Sequence, residues 1–149
     1  MHVVLVQPEI PQNTGSVARL CAATGSPLHL VGKLGFSLED RYLRRAGLDY
    51  WPLVDLHVHA SWEEFARAQP HTRRFAFSSH DGPSYTTIEF KDEDALIFGG
   101  ESRGLPDDLR QILSPTFRIP MPGSGVRSLN LANAASVVLY EGLRQLGRL

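Results

Sequence analysis

From end to end the chain alternates short apolar runs with stretches of helical periodicity, the sequence mark of βαβ units and a mostly parallel sheet. Strands are expected at His2 to Val6, Leu28 to Val31, Val54 to Val58, Phe75 to Ser78, Ala95 to Phe98 and Thr116 to Ile119, each rich in Val, Ile, Leu or Phe. Val17, Leu20 and Cys21 repeat at helical spacing, as do Leu131, Ala134, Ala135, Val138 and Leu139. Further helices are predicted over Leu38 to Ala46, over Trp62 to Ala68 with Ser61 as N-cap, and over Pro106 to Leu113, where proline suits a first turn. The expected class is α/β. A chain of 149 residues is the size of one domain, so a single domain over 1–149 is expected.

Open sheets of this kind bind ligands beyond the carboxyl ends of their strands, which directs attention to two loops, Gln7 to Thr14 and Pro120 to Leu129. The first reads Gln7-Pro-Glu-Ile-Pro-Gln-Asn-Thr-Gly15. Its one glycine does not make the Gly-x-Gly-x-x-Gly turn of a dinucleotide site, and no phosphate-binding Gly-Lys-Ser/Thr occurs in the chain. His57-x-His59 on a strand would place two rings on one face, but no third ligand is suitably spaced, so no metal is expected. Fifteen Lys and Arg against sixteen Asp and Glu leave a formal charge of -1, so any contact with RNA must come from local patches. The lone Cys21 has no partner for an internal disulfide, and the N-terminal residues lack the pattern of a signal peptide. No apolar run approaches the roughly 18 to 20 residues of a membrane span. A cytoplasmic protein without membrane association is expected.

Three short segments remain. They are Asn13-Thr-Gly15-Ser-Val-Ala-Arg19 after the first strand, Leu96-Ile-Phe-Gly99-Gly-Glu101-Ser-Arg103-Gly104-Leu105 at the end of the fifth, and Ile119-Pro-Met121 followed by Arg127-Ser128-Leu129-Asn130-Leu-Ala-Asn133-Ala. Each alone is a weak pattern. In this order, spacing and strand-to-loop context the chain resembles the SPOUT superfamily of knotted RNA methyltransferases, in its 2′-O-ribose branch, over nearly its whole length. Pro8-Glu-Ile-Pro-Gln-Asn-Thr-Gly15 and Arg44-Arg45-Ala-Gly-Leu-Asp49-Tyr50-Trp51 are similar to the minimal enzymes of that branch that methylate the wobble ribose of tRNA. Relatives acting elsewhere usually carry an RNA-binding extension, for which this chain has no room. One departure is the loop from Pro122 to Val126, a residue longer than the family pattern.

The resemblance implies a Rossmann-like, mostly parallel sheet with a C-terminal deep trefoil knot, in which the last strand and helix pass through the loop around Phe98 to Leu105. Pattern alone would never propose a knot, since knots are nearly absent from proteins. The resemblance also implies S-adenosylmethionine as cofactor, tRNA at its anticodon loop as partner, and a homodimer using the first and last helices. By position, Phe77, Gly99, Ile119, Met121, Ser128 and Leu129 are the implied cofactor contacts, and Arg19, Asn13, Asn130 and Glu101 the implied catalytic set.

Methyl transfer from a sulfonium to a ribose hydroxyl is an in-line displacement that needs its atoms aligned at roughly 3 to 3.5 Å. A guanidinium does not give up its proton in a protein, so Arg19 is expected to hold phosphate and stabilise the developing alkoxide rather than act as a base. Asn13 and Asn130 can position ribose or main chain, and Glu101 can orient Arg19, Arg103 or a hydroxyl. For RNA, the cluster Arg41, Arg44 and Arg45, with Lys33 and Arg127 near loops, offers phosphate contacts, and Tyr50 and Trp51 offer stacking surfaces.

Plainer roles stand beside these. Asn13, Ser128 or Asn130 serve equally as helix caps, the glycines as ordinary turns, Glu101 and Arg103 as a surface pair, Phe77 as core, and Tyr50-Trp51 as packing. The rival functions are the same transfer at another tRNA or ribosomal RNA position, and a catalytically silent protein that binds RNA or nucleotide.

Overall fold

The computed structural model describes residues 1–47, 50–80 and 82–149, the side chains of 44, 46 and 47 excepted. Its elements run β1 (His2–Val6), α1 (Pro11–Thr24), β2 (Leu28–Val31), α2 (Arg41–Gly47), β3 (Leu56–His59), α3 (Trp62–Ala68), β4 (Arg74–Phe77), β5 (Ala95–Phe98), α4 (Asp107–Ile112) and α5 (Leu131–Gln145). Among the described residues the strands form one five-stranded sheet in the order β3-β2-β1-β5-β4, every pair parallel. Parallel strands covered on both faces read as unbroken apolar runs, and β1, β2 and β5 are buried at every position.

Two cores follow from the side-chain alternation of the strands. On one face Val3, Leu5, Leu28, Leu30, Leu96 and Phe98 pack with Val17, Ala18 and Cys21 of α1 and with Ala135, Val138 and Leu139 of α5. On the other, Val4, Val6, Val31, Ala76 and Ile97 pack with Phe65 of α3 and Leu105, Leu109 and Leu113 around α4. Each Val, Leu, Ile or Phe among them contributes about 1.5–3 kcal/mol by burial. α2 packs on α1, and α1 on α5.

Local signals account for most of the boundaries. Ser61 Oγ accepts from the Glu64 N–H at 3.2 Å while the Glu64 carboxylate accepts from Ala60 N, a reciprocal cap at the start of α3. The Asp40 carboxylate accepts from the N–H groups of Tyr42 and Leu43, so α2 begins at Arg41 and not at Leu38. α1 ends on Gly25 in the left-handed region, φ 64°, whose N–H returns to the Cys21 carbonyl.

Three expectations need correction. The segment expected as a sixth strand, Thr116 to Ile119, makes only isolated parallel bridges, Phe77 to Phe117 and Ser84 to Arg118, with β4 and the loop that follows it. The loop expected to run to Thr14 stops at Ile10, because Pro11 opens α1 with its φ already fixed. Asn13 is therefore inside the first turn and is not the N-cap. β3 also starts two residues later than expected, the chain before it forming a 3-10 turn over Trp51–Leu53.

His57 and His59 do share a face, and the fold adds two more rings. His2 Nδ1 lies 3.0 Å from His29 Nε2, His29 Nδ1 lies 3.0 Å from His59 Nε2, and His57 stacks on His29 at 4.7 Å. Phe65 of α3 meets His29 and His59 edge-on. Burial first, then the neighbouring imidazoles, pull His29 down to about 3, and burial lowers His59 as well. Among the described residues no three His, Cys, Asp or Glu side chains converge to hold a metal ion, and no helix is long and apolar enough to cross a membrane.

Candidate active site

The three segments singled out in the sequence meet in one cleft of about 870 Å³ at the carboxyl ends of β4 and β5, within the range of small-molecule pockets. Phe77, Gly99, Ile119, Met121, Ser128 and Leu129 all line it, together with Asn13, Glu101, Asn130 and Arg127. The loop 99–105 forms its wall. Gly104, at φ 68°, turns that loop back on itself through an antiparallel bridge to Gly100. A Cβ at Gly99 would fall 2.1 Å from the Gly104 carbonyl carbon, and one at Gly100 would fall 2.6 Å from the Gln7 carbonyl oxygen. No side chain fits at either position. The wall is thus main chain, with apolar groups behind it: Phe77 stacks on Phe98 at 5.1 Å and both are buried.

Two carboxylates lock this wall to the start of α1. Glu101 accepts hydrogen bonds from Glu9 N at 2.7 Å, Ile10 N at 3.1 Å and Asn13 Nδ2 at 3.1 Å. It thereby takes up the N–H of the N-cap Ile10 and of the residue before it, at a helix start where the cap side chain is apolar and bonds to nothing. Glu9 in turn accepts from Ser102 N at 3.1 Å and from Ser102 Oγ at 2.8 and 2.7 Å, and the Ser102 hydroxyl and N–H hold its carboxyl below the usual range. The expectation that Glu101 orients Arg19 or Arg103 is corrected: its hydrogen bonds go to main chain and to Asn13. Glu9 went unassigned in the sequence because its partner is 93 residues away.

Asn13 passes the connection on. Its Oδ1 accepts from Asn130 Nδ2 at 2.9 Å, and Asn130 Oδ1 caps α5 by accepting from Ala132 N and Asn133 N. Each amide has one orientation compatible with its partners, because Asn130 must turn its oxygen to the helix and Asn13 its nitrogen to Glu101. A continuous path of hydrogen bonds therefore runs from the 99–105 wall through α1 to the N-terminus of α5. Of the suggested caps, Asn130 is one and Ser128 is not.

Arg103, Arg110 and Arg127 make one side of the cleft cationic, and His80 also lines it; Arg110 and His80 carried no signal a sequence would show. Arg19 is elsewhere. It is exposed on α1, with Nη2 donating to Tyr50 Oη at 3.2 Å and its guanidinium 4.6 Å over the Tyr50 ring. Tyr50 thus steadies an arginine. Trp51 packs against the core. Arg41 and Arg45 are exposed on α2, Arg41 donating to Tyr42 Oη at 2.9 Å, and they lie outside the cleft. The side chain of Arg44, and Leu48 and Asp49 of the second motif, lie outside the described residues.

The composition of the cleft fits an adenosine derivative: aromatic and aliphatic side chains for a purine, and glycine main chain that a ligand can approach closely. Comparison with known proteins agrees. The model of the SpoU rRNA methylase family matches residues 1–140. A tRNA (cytidine(34)-2′-O)-methyltransferase of Methylovorus glucosotrophus (strain SIP3-4) is 49% identical over 144 residues, covering 96% of this chain and 94% of the relative. A solved structure concerned with the 2-OH methylation of C/U34 on tRNA is 54% identical with a TM-score of 0.93, over 98% of this chain and 95% of that one. The SpoU methyltransferase AviRb of Streptomyces viridochromogenes, in complex with AdoMet, is 28% identical with a TM-score of 0.86, over 98% of this chain and 60% of AviRb.

Proposed function

The chain belongs to the SpoU rRNA methylase family, and from that premise we infer that it is a tRNA 2′-O-methyltransferase acting on the ribose of nucleotide 34, cytidine or uridine, with S-adenosylmethionine as methyl donor. The observation that carries this is the convergence of all three motif segments on a single cleft, fixed by the Glu101–Asn13–Asn130 path.

Phe77, Ile119, Met121 and Leu129 would hold the adenosine, with the main chain at Gly99 and the region of Ser128 against its polar edges. When bound, the donor supplies a methyl carbon made electrophilic by its sulfonium. The protein must place the 2′-hydroxyl against that carbon and stabilise negative charge as the hydroxyl proton leaves. Arg127 and Arg103 on the cationic side would bind flanking phosphates. Arg19 supplies the positive charge for the 2′-oxygen.

Arg19 does not line its own cleft, so a second protomer must bring it there. An isologous dimer does this for both sites at once. Exposed apolar side chains on α5 and next to the cleft, Val137, Tyr140, Val126 and Leu129, offer the surface such a dimer would bury. The wall at Gly99 and Gly100, too tight for a Cβ, supports a threaded C-terminal knot, as does the hydrogen bonding of Phe117 to Ala76 and Ser78. The setting for tRNA modification is the cytoplasm.

The test is incubation of purified protein with labelled S-adenosylmethionine and bulk tRNA, followed by mapping of the modified nucleotide. Label on ribose 34 is the expected result. Methyl on a base would overturn the reaction class; ribose label at another nucleotide would overturn the substrate position. Arg19→Lys should lose at least about tenfold in kcat, since an ammonium lacks the guanidinium fork.

A further inference from the structure

A second cleft, of about 280 Å³, opens at the carboxyl ends of β1, β2 and β3, between α3 and α4, and no step of the methyl transfer uses it. Its floor is apolar, formed by Val6, Val31 and Leu109. At its side stands Trp62, half-buried, with its ring held by Phe65 at 5.1 Å and the Arg74 guanidinium at 5.5 Å. The polar lining comes from Gln7, Lys33, Glu63 and Asp108. Asp108 commits one carboxylate oxygen to the Leu109 N–H, and among the described residues no ion pair engages Lys33.

Gln7 ties this cleft to the first. Among the described residues it is the non-glycine residue with a positive φ, 50°. The turn aims its carbonyl at the Gly100 main chain of the methyl-donor cleft, while its side chain lies against Gly32 on the floor of the second. Unusual backbone held at the end of a central strand, where open sheets bind ligands, is the kind of strain that marks a functional position.

We propose that the second cleft is a nucleobase subsite, which takes another unpaired base of the same RNA, one carrying an exocyclic amine. The indole of Trp62 meets the plane of the base, the Gln7 amide and the carboxylates of Glu63 and Asp108 face its N–H donors, and Lys33 takes the adjoining phosphate. This is how proteins read single-stranded RNA, by stacking on aromatics and bonding to base edges. Two carboxylates at the lining keep phosphate out of the interior, and the volume lies just under the roughly 300 Å³ at which pockets for larger ligands begin. The subsite presupposes the tRNA methylation inferred above.

The experiment uses an anticodon stem-loop RNA in which each unpaired nucleotide other than the target is replaced in turn by an abasic residue, then by uracil. One position should raise the KM for RNA about tenfold for the abasic residue and by a smaller factor for uracil, which keeps a face for the indole but lacks the exocyclic amine, with the KM for S-adenosylmethionine unchanged. In Gln7→Ala and Lys33→Ala that penalty should shrink several-fold. No sensitive position, or an undiminished penalty in both variants, overturns the subsite. A binding readout separates its failure from that of the activity: the chain has two tryptophans, and in Trp51→Phe the intact RNA should quench Trp62 fluorescence while the abasic RNA should not. If the protein methylates no RNA but shows that difference, the activity is wrong and the subsite stands; equal quenching by both RNAs overturns the subsite.

Discussion

A carboxylate that accepts three N–H donors can be replaced by its amide only at a loss, because Gln turns an NH2 toward one of the donors. Glu101→Gln should leave unpaired either the Glu9 N–H or, with the amide turned the other way, both the Ile10 N–H and the Asn13 amide, at a cost of at least about 1–3 kcal/mol. For a chain of this length that lowers Tm by about 2–4 °C per kcal/mol, and scanning calorimetry checks it. An unchanged Tm would mean the clamp is idle. Asn13→Asp should do worse, since it sets a second carboxylate against Glu101, and the loss should ease in acid as one of the pair protonates. Gly99→Ala has no such remedy. A methyl 2.1 Å from the Gly104 carbonyl carbon forces the wall to open, and the affinity for S-adenosylmethionine measured by calorimetry should fall at least about tenfold. Asn13, Gly99, Glu101 and Asn130 were all visible in the sequence as motif members. Their bonds were not, because the partners are 88 and 117 residues apart and only the folded sheet brings them together.

Elements were legible wherever a local signal decides them. Ser61 announces α3, and β1, β2 and β5 end where their apolar runs end. Thr116 to Ile119 misled because its composition is that of a strand, while the sheet offers it only isolated bridges beyond β4. The start of α1 misled for the opposite reason, as the carboxylate that holds it is that of Glu101 and leaves no trace near Ile10. His57-x-His59 was seen as a pair, but the row of rings across β1, β2 and β3 depends on strand order, which no spacing encodes. That row has a consequence for stability. His29 is fully buried and its pKa falls from 6.5 to about 3, so between those values the unfolded chain binds the proton more readily than the folded one. Stability contributed by neutral His29 is complete above pH 6.5 and is lost as the pH falls below it, by up to about 1.4 kcal/mol per pH unit. His59 adds to the loss in the same direction. Urea titrations between pH 6.5 and 4.5, above the range of the lowered carboxyls Glu9 and Glu141, should show the decline, and His29→Phe should flatten it. A slope unaltered in the variant would clear the histidines of the effect.

At the scale of the whole molecule, the position of Arg19 sets the architecture an active enzyme needs. The cleft holds Asn13, Glu101 and Asn130 on one protomer, while Arg19 is exposed and rests on Tyr50 outside it. If each reaction centre combines one protomer's cleft with its partner's Arg19, two differently inactivated chains should repair one another. Arg19→Ala keeps its cleft intact and lacks the guanidinium. Met121→Trp keeps Arg19 and fills the cleft at a partly exposed position that leaves the core alone. Each homodimer is silent. In a heterodimer the cleft of the first chain faces the arginine of the second, giving one working centre and one doubly defective. Random subunit exchange makes about half of all dimers heterodimers, so the mixture should recover about a quarter of wild-type methyl transfer. Arg19 acting within its own chain predicts no recovery at any mixing ratio, and transfer of labelled methyl to tRNA before and after exchange of the two variants distinguishes the outcomes. Tyr50→Phe provides the finer measurement: it frees Arg19 from the 3.2 Å hydrogen bond but keeps the ring beneath it, so kcat should change by no more than a few-fold while dimer formation is untouched. Loss of both together would mean that Tyr50 holds the interface and not the arginine.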